Sequence, residues 1–331
     1  MSVKKKIENI LEQQEYITVD ALMSIALNDY YTSKEAVGSD FITAPEISQM
    51  FGEMVALWCL DAWQNQKGFN LTELGPGTGA LIFNILRTVS KIKPEFIQSL
   101  KQIFLLEINP YLKKKQLEIL APYKDKIRYI DNIDHIPNGI VIANEFFDAL
   151  PIKQYKKIQN SWYEVIVKKG LRFDISKTPI SINDHPNAQD GAIIEISDQQ
   201  QKLMQKLCKI KGSILIIDYG YDIEPKLRQP NQYKSTLQSV KNHQYCDVLD
   251  NLGEADLTTH VDFHSLKHIA QIQKAPYTVH SQKDFLESYG ISLRLQQLLS
   301  HNPELSNILH NQYNRLIKDM GELFKVLTLK N

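Results

Sequence analysis

The sequence predicts an α/β protein: a Rossmann-like, mostly parallel sheet with helices on both faces, an N-terminal helical segment and β/helical insertions. Three observations carry this. From Phe69 onward, short apolar runs alternate with stretches of helical period. A glycine-rich turn, Glu73-Leu-Gly-Pro-Gly-Thr-Gly79, joins the first run to the first of those helices. The alternation then breaks after Pro151 into what reads as a β-meander, and resumes with a further apolar run.

Taken in order, Val3–Gln14 has apolar residues at helical spacing (Ile7, Ile10, Leu11), and Val19–Leu27 reads as a second helix entered through Thr18. Residues from Tyr30 to Ala44, with Gly38 among them, read as a loop. A longer helix is expected over Pro45–Gln64, because Thr43-Ala44-Pro45-Glu46 has capping-box spacing with proline in the first turn. Ile47, Met50, Phe51, Met54, Val55 and Trp58 give that helix its apolar stripe.

Strands are expected at Phe69–Leu74, Gln102–Glu107, Lys126–Ile130, Gly139–Ala143 and Gly212–Asp218, with helices at Ala80–Ser90 and Pro110–Leu120. Ile152–Lys157, Trp162–Lys168 and Leu171–Ile175 form the meander, turning once at Lys169-Gly170. Helices follow at Asp262–Gln271 and Gln282–Tyr289, the second capped at Ser281, and Leu323–Leu329 closes the chain as a last strand. This predicts an N-terminal helical lid over residues 1–68 and a core over 69–331, with insertions at about 152–190 and 219–280.

Acidic and basic residues balance at 38 each. That speaks against a general nucleic-acid binder, which needs a basic surplus. The three cysteines are far apart and form no CxxC pair, so neither a zinc site nor a disulfide framework is expected. The N-terminus lacks the unbroken apolar stretch of a secretory signal and the composition of a transit peptide, and no run is long enough to span a bilayer. The expectation is a cytoplasmic protein without membrane insertion. The apolar faces of the N-terminal helices could pack on the core or on a second copy, as in a homodimer.

The glycine turn lies where a nucleotide-type cofactor belongs, at the carboxyl end of the first strand and the amino end of a helix. Two cofactors compete for it. Gly75, Gly77 and Ala80 satisfy the looser dinucleotide spacing, which would suit an NAD-dependent oxidoreductase. Glu73, immediately before the turn, favours S-adenosylmethionine (SAM), whose sulfonium and amino groups are positive; beside a pyrophosphate it would be repulsive. Gly75, Gly77 and Gly79 then shape the cradle. Glu107, ending the second run, can accept two hydrogen bonds from a ribose diol, and Asp131, ending the third, could contact adenine. Asn144 and Glu145, ending the fourth run, and Asp148 just beyond them suit a site that holds a cationic nucleophile near a cationic methyl donor.

Several blocks of this sequence resemble the MidA family, whose mitochondrial branch includes a complex I assembly factor of the arginine-methyltransferase type. They include Tyr30-Tyr31, Asp40–Gln49 with Phe51-Gly52-Glu53, Glu73–Gly79, Asn144–Pro151 and Asp218-Tyr219-Gly220. Asp256–Phe263, Gln282–Leu286 and Met320–Val326 continue them in order, over nearly the whole chain. The resemblance implies a class I SAM-dependent methyltransferase core and an N-terminal segment that helps close the cofactor site. In the mitochondrial branch it implies symmetric dimethylation of an arginine on a peripheral-arm subunit of NADH:quinone oxidoreductase; for that branch the location would be the mitochondrial matrix. Two positions depart from the pattern: Thr78 stands where arginine is expected and Asn84 where an acid is expected.

Within this reading, Glu145 is the residue expected to orient an arginine guanidinium, with Asp148 second. His260 and Asp262 are candidates for supporting or proton-accepting roles. Thr43 and Glu46 either line the cofactor pocket or only cap their helix. A non-catalytic assembly protein that kept the fold is the remaining alternative, since fold does not set function.

Overall fold

The computed structural model describes residues 1–32, 43–64 and 66–331. They divide into two compact units. One comprises Met1–Phe41, Asp148–Lys202 and Asp222–His264; the other comprises Ile42–Phe147, Leu203–Tyr221 and Ser265–Asn331. The helical segment expected over residues 1–68 is therefore shared between them. Most of the loop expected from Tyr30 to Ala44, Gly38 included, lies outside the described residues; Tyr30–Thr32 instead complete the helix Val19–Thr32.

The second unit is built on the expected sheet. Its strands are β1 (Phe69–Leu74), β2 (Leu100–Leu106), β3 (Ile127–Ile130), β4 (Gly139–Asn144), β5 (Gly212–Tyr221), β6 (Tyr277–Ser281) and β7 (Phe324–Lys330). They lie in the order β6-β7-β5-β4-β1-β2-β3. The strands from β3 to β5 are mutually parallel, and β7 runs antiparallel to both β5 and β6. Burial on both faces explains why β4 and β5 read as near-continuous apolar runs rather than alternating ones. The direction in which the chain adds strands reverses between β1 and β4. Ligands of open parallel sheets bind beyond the carboxyl ends of the strands at such a reversal.

The helix expected over Pro45–Gln64 is in fact two, Ala44–Ile47 and Gln49–Trp63. Ser48 between them is extended (φ −155°, ψ 137°), and its hydroxyl accepts from the Met50 N–H at 3.2 Å. A buried serine that caps the second helix wins over continuation of the first. Gln49–Trp63 is buried on nearly all sides, packed against the helices Ala80–Ile92 and Ile291–His301. Gly52 allows the first approach: a Cβ there would lie 2.5 Å from that of Asn84, one of the two departures from the family pattern.

In the first unit, Val3, Ile7 and Leu11 of the helix Val3–Gln13 and Leu22, Met23 and Ala26 of the helix Val19–Thr32 pack on Ile152, Val165 and Val167 of the meander. The meander strands are Lys153–Ile158, Ser161–Lys168 and Arg172–Ile180, joined by Ile193–Ile196. A strand that the sequence pattern does not suggest, Tyr16–Thr18, pairs with Ile166–Lys168 and carries the chain from one helix to the next. The second capped helix forms as expected: Ser281 accepts from the Asp284 N–H at 3.1 Å and starts Gln282–Ser288.

Candidate active site: a glycine cradle and an acidic strand tip

The cradle is assembled where β1, β2 and β4 end. Leu74 pairs with both Leu106 and Ala143, so the glycine turn, Glu107 and Asn144 emerge side by side. Gly75 (φ +61°) and Gly77 (φ +53°) occupy the left-handed region that other residues enter only with strain. Their surroundings differ. A Cβ at Gly75 would stand 2.7 Å from Phe146 Cδ2, whereas one at Gly77 would meet nothing within 4 Å. The turn is packed on one flank and open on the other.

Gly79 starts the helix Ala80–Ile92 without a side chain to cap it. Glu73 supplies the missing acceptor, taking a hydrogen bond from the Ile82 N–H. Glu73 is 2 % exposed, and its Oε2 has no partner among the described residues. Burial pushes its pKa up to about 8, against the pull of the Ile82 bond. Asn144 Oδ1 is a second buried acceptor without a partner among the described residues. Asn144 Oδ1 and Glu73 Oε2, the latter once its carboxyl gives up the proton that burial favours, fit a positively charged, donor-bearing group such as the methionyl end of SAM.

Glu107 is 8 % exposed. Its Oε1 accepts from the Ile108 and Asn109 N–H groups, both at 2.8 Å, and its Oε2 from Gln116 Nε2 at 3.2 Å. Burial raises its pKa, and these hydrogen bonds oppose the rise. Asp131, by contrast, is exposed beyond the end of β3, with His135 Nδ1 3.6 Å away.

Glu145 continues from β4 with φ +49°, a strained conformation for a non-glycine residue. Its Oε1 accepts from the Ala44 N–H at 3.3 Å and from Asn144 Nδ2 at 3.2 Å. The turn is held from below by Asp218, which is fully buried. Its Oδ2 accepts from the Phe146 and Phe147 N–H groups at 3.2 and 2.9 Å, and its Oδ1 from the Tyr219 N–H at 2.9 Å. Glu46 caps its helix and also reaches the glycine turn. Its Oε2 accepts from the Thr43 N–H at 3.3 Å, closing the cap, and its Oε1 accepts from the Thr78 hydroxyl at 3.4 Å. Thr78 thus keeps a link to Glu46 at the position where arginine was expected. The short helix Ala44–Ile47 is thereby tied to both the glycine turn and Glu145.

The remaining candidates belong to the first unit. The Asp148 carbonyl accepts from the Thr259 N–H at 3.0 Å, which brings Asp148 together with the Thr259–Asp262 segment. The His260 N–H donates to Thr236 Oγ1 at 2.9 Å. Burial lowers the His260 pKa, Glu195 opposes this and Lys234 adds to it, so a neutral imidazole is favoured near pH 7. Asp262 ends the short strand Val261–Asp262. Tyr31 donates to Asp256 at 2.9 Å; burial, followed by the charges of Asp256 and Asp148, holds its proton firmly.

Gln116, bonded to the Gly77 carbonyl and Glu107, and Asp218, bonded to the Phe146 and Phe147 N–H groups, are not among the residues singled out as candidates from the sequence. Each had a signal. Gln116 sits four residues after Leu112 on the buried phase of its helix, and Asp218 ends the apolar run of a largely buried strand.

Residues 54–280 match the family model described as "Putative S-adenosyl-L-methionine-dependent methyltransferase". The chain belongs to this methyltransferase family. Among curated relatives, the methyltransferase is 33% identical to "Protein arginine methyltransferase NDUFAF7, mitochondrial" of Danio rerio, over 91% of this chain and 79% of that one. It is 30% identical to the Homo sapiens protein of the same name, over 95% and 80%. A solved protein of Burkholderia thailandensis, bound to S-adenosyl-homocysteine, shares the fold with a TM-score of 0.85 at 23% identity, covering 99% of this chain and 92% of that one. The resemblance to the MidA family is borne out, as are the Rossmann-like fold and SAM as cofactor. The oxidoreductase and scaffold alternatives fall away: the methyltransferase is a SAM-dependent enzyme.

Proposed function

We propose that this methyltransferase methylates an arginine side chain of a protein, with Glu145 holding the guanidinium. Support comes from Glu145 itself: a carboxylate at the end of β4, next to the cradle, kept in a strained backbone conformation, with Oε1 bonded to Ala44 and Asn144. The curated relatives bear the name of protein arginine methyltransferases, which favours the same acceptor. The resemblance to the mitochondrial branch points further, to symmetric dimethylation of a peripheral-arm subunit of NADH:quinone oxidoreductase.

SAM supplies an electrophilic methyl on a sulfonium. The chain's task is to bring the acceptor nitrogen in line with it and to exclude water. A guanidinium is protonated at neutral pH and a poor nucleophile. A carboxylate that pairs with it localises the positive charge on the bound nitrogens and leaves the remaining one more electron-rich. Glu145 orients the group in this way, and Asp218 fixes the turn from which Glu145 projects. The helix Ala44–Ile47, bonded to Glu145 and Thr78, serves as the part of the N-terminal segment that closes the site.

The test is methylation of isolated peripheral-arm subunits with isotope-labelled SAM, followed by hydrolysis and amino-acid analysis. Labelled symmetric dimethylarginine, lost with Glu145→Gln while SAM affinity stays within a few-fold, is the expected outcome. Label in a residue other than arginine, or full turnover by Glu145→Gln, would overturn the assignment.

A further inference from the structure

Gln116 lies on the helix Pro110–Ile119, outside the glycine turn and outside every strand end, yet it is fully buried. A buried amide without partners is costly, and its donors find theirs within the cofactor cradle. Nε2 donates to the Gly77 carbonyl at 2.7 Å and to Glu107 Oε2 at 3.2 Å. The reverse orientation would set Oε1 against two other oxygens, so chemistry selects this one. Gln116 Cγ also stands 3.3 Å from where a Cβ on Gly79 would be, pinning the end of the turn. Gln116 Oε1 is buried and without a partner among the described residues.

We propose that Gln116 is a positioning residue for SAM, clamping the ribose-binding carboxylate of Glu107 to the open Gly77 flank so that the two halves of the cradle hold one geometry. This rests on the reading that Glu107 takes the ribose diol. With Oε1 held by two backbone N–H groups and Oε2 by Gln116, the Glu107 carboxylate is restrained from rotating, and its remaining lone pairs face in set directions. Packing does not require an amide here; a methionine fills the same length.

The test compares SAM and S-adenosyl-homocysteine binding by calorimetry for wild type, Gln116→Met, Glu107→Gln and the double variant, at pH 8 and pH 6. Gln116→Met should bind both ligands about tenfold more weakly at pH 8, the usual scale for losing one charge-assisted hydrogen bond. The deficit should widen at pH 6, because the amide is one of the groups that hold the Glu107 pKa down. The double variant should bind no more weakly than Glu107→Gln. If Gln116→Met fails to fold, Gln116→Asn, too short to reach both partners, carries the same comparison. Affinity within twofold of wild type at both pH values, or losses that simply add, would overturn the clamp. Absence of SAM binding by folded wild type would instead overturn the cofactor reading beneath it.

Discussion

Alanine at Gly75 and alanine at Gly77 should fail in opposite ways. Both glycines lie in the left-handed region, at φ +61° and +53°, so each substitution carries a backbone penalty of about 1–2 kcal/mol. At Gly75 the new methyl would also stand 2.7 Å from Phe146 Cδ2, and the ring must move. Overpacking of that kind adds roughly 1–3 kcal/mol. Gly75→Ala should therefore lose about 2–5 kcal/mol of stability against about 1–2 kcal/mol for Gly77→Ala, with each kcal/mol worth roughly 2–4 °C in melting temperature. Cofactor binding should show the reverse ranking. The methyl of Gly77→Ala meets no protein atom within 4 Å; on the reading that this open flank receives SAM, it crowds the cofactor instead. Its affinity for SAM should fall more than tenfold, while folded Gly75→Ala loses less. Thermal melts and calorimetry on the two variants read both quantities. Wild-type SAM affinity in Gly77→Ala would mean that the open flank is not where the cofactor lies. A lower melting temperature for Gly77→Ala than for Gly75→Ala would refute the packing argument.

Asp218→Asn replaces an oxygen that accepts from backbone N–H groups with a donor, and should cost about 1–3 kcal/mol. Turnover should fall further than SAM affinity, as single-turnover assays would report; unchanged turnover would separate Asp218 from the Glu145 turn. Arg294 forms a two-point pair with buried Glu53, Nε to Oε2 at 2.7 Å and Nη2 to Oε1 at 3.0 Å. Since Arg294 is itself one-third exposed, Arg294→Ala should cost about 2 kcal/mol rather than the full value of a buried pair, measured by denaturant unfolding. Glu73 gives a pH signature. Its folded pKa of about 8 lies above the unfolded value near 4.5, so the folded state holds the extra proton between them. The stability from that proton is complete below pH 4.5 and is lost as pH rises toward 8. Glu73→Gln should remove this fall, so the melting temperature of wild type relative to the variant should decline from pH 5 to pH 8. A constant difference would place the Glu73 pKa within the ordinary range.

Much of this site was legible because its chemistry follows the chain. The glycine turn, the acids at strand ends and the Asn144–Asp148 segment each lie within a few residues of an apolar run, and period-2 and 3.6 patterns place those runs. Ser48 shows where such local reading stops. A serine hydroxyl can leave a helix uninterrupted or cap a new one, and burial among neighbouring helices decides between them. Tyr16–Thr18 is similar: three residues carry no period of their own, and pairing with Ile166–Lys168 makes them a strand.

By itself, the sequence determined the parallel sheet, the cradle at its carboxyl edge and the sign of charge that the cradle invites, since these depend on local periodicity, backbone conformation and residue type. Only the tertiary structure decided what each acid does. Glu73 caps a helix because Gly79 cannot, Glu107 is held by a glutamine nine residues away, and Glu145 takes its bond from Ala44, 101 residues earlier. Such roles belong to hydrogen bonds between segments distant in the chain, whose partners become neighbours only when burial of the apolar faces brings the strands and helices together.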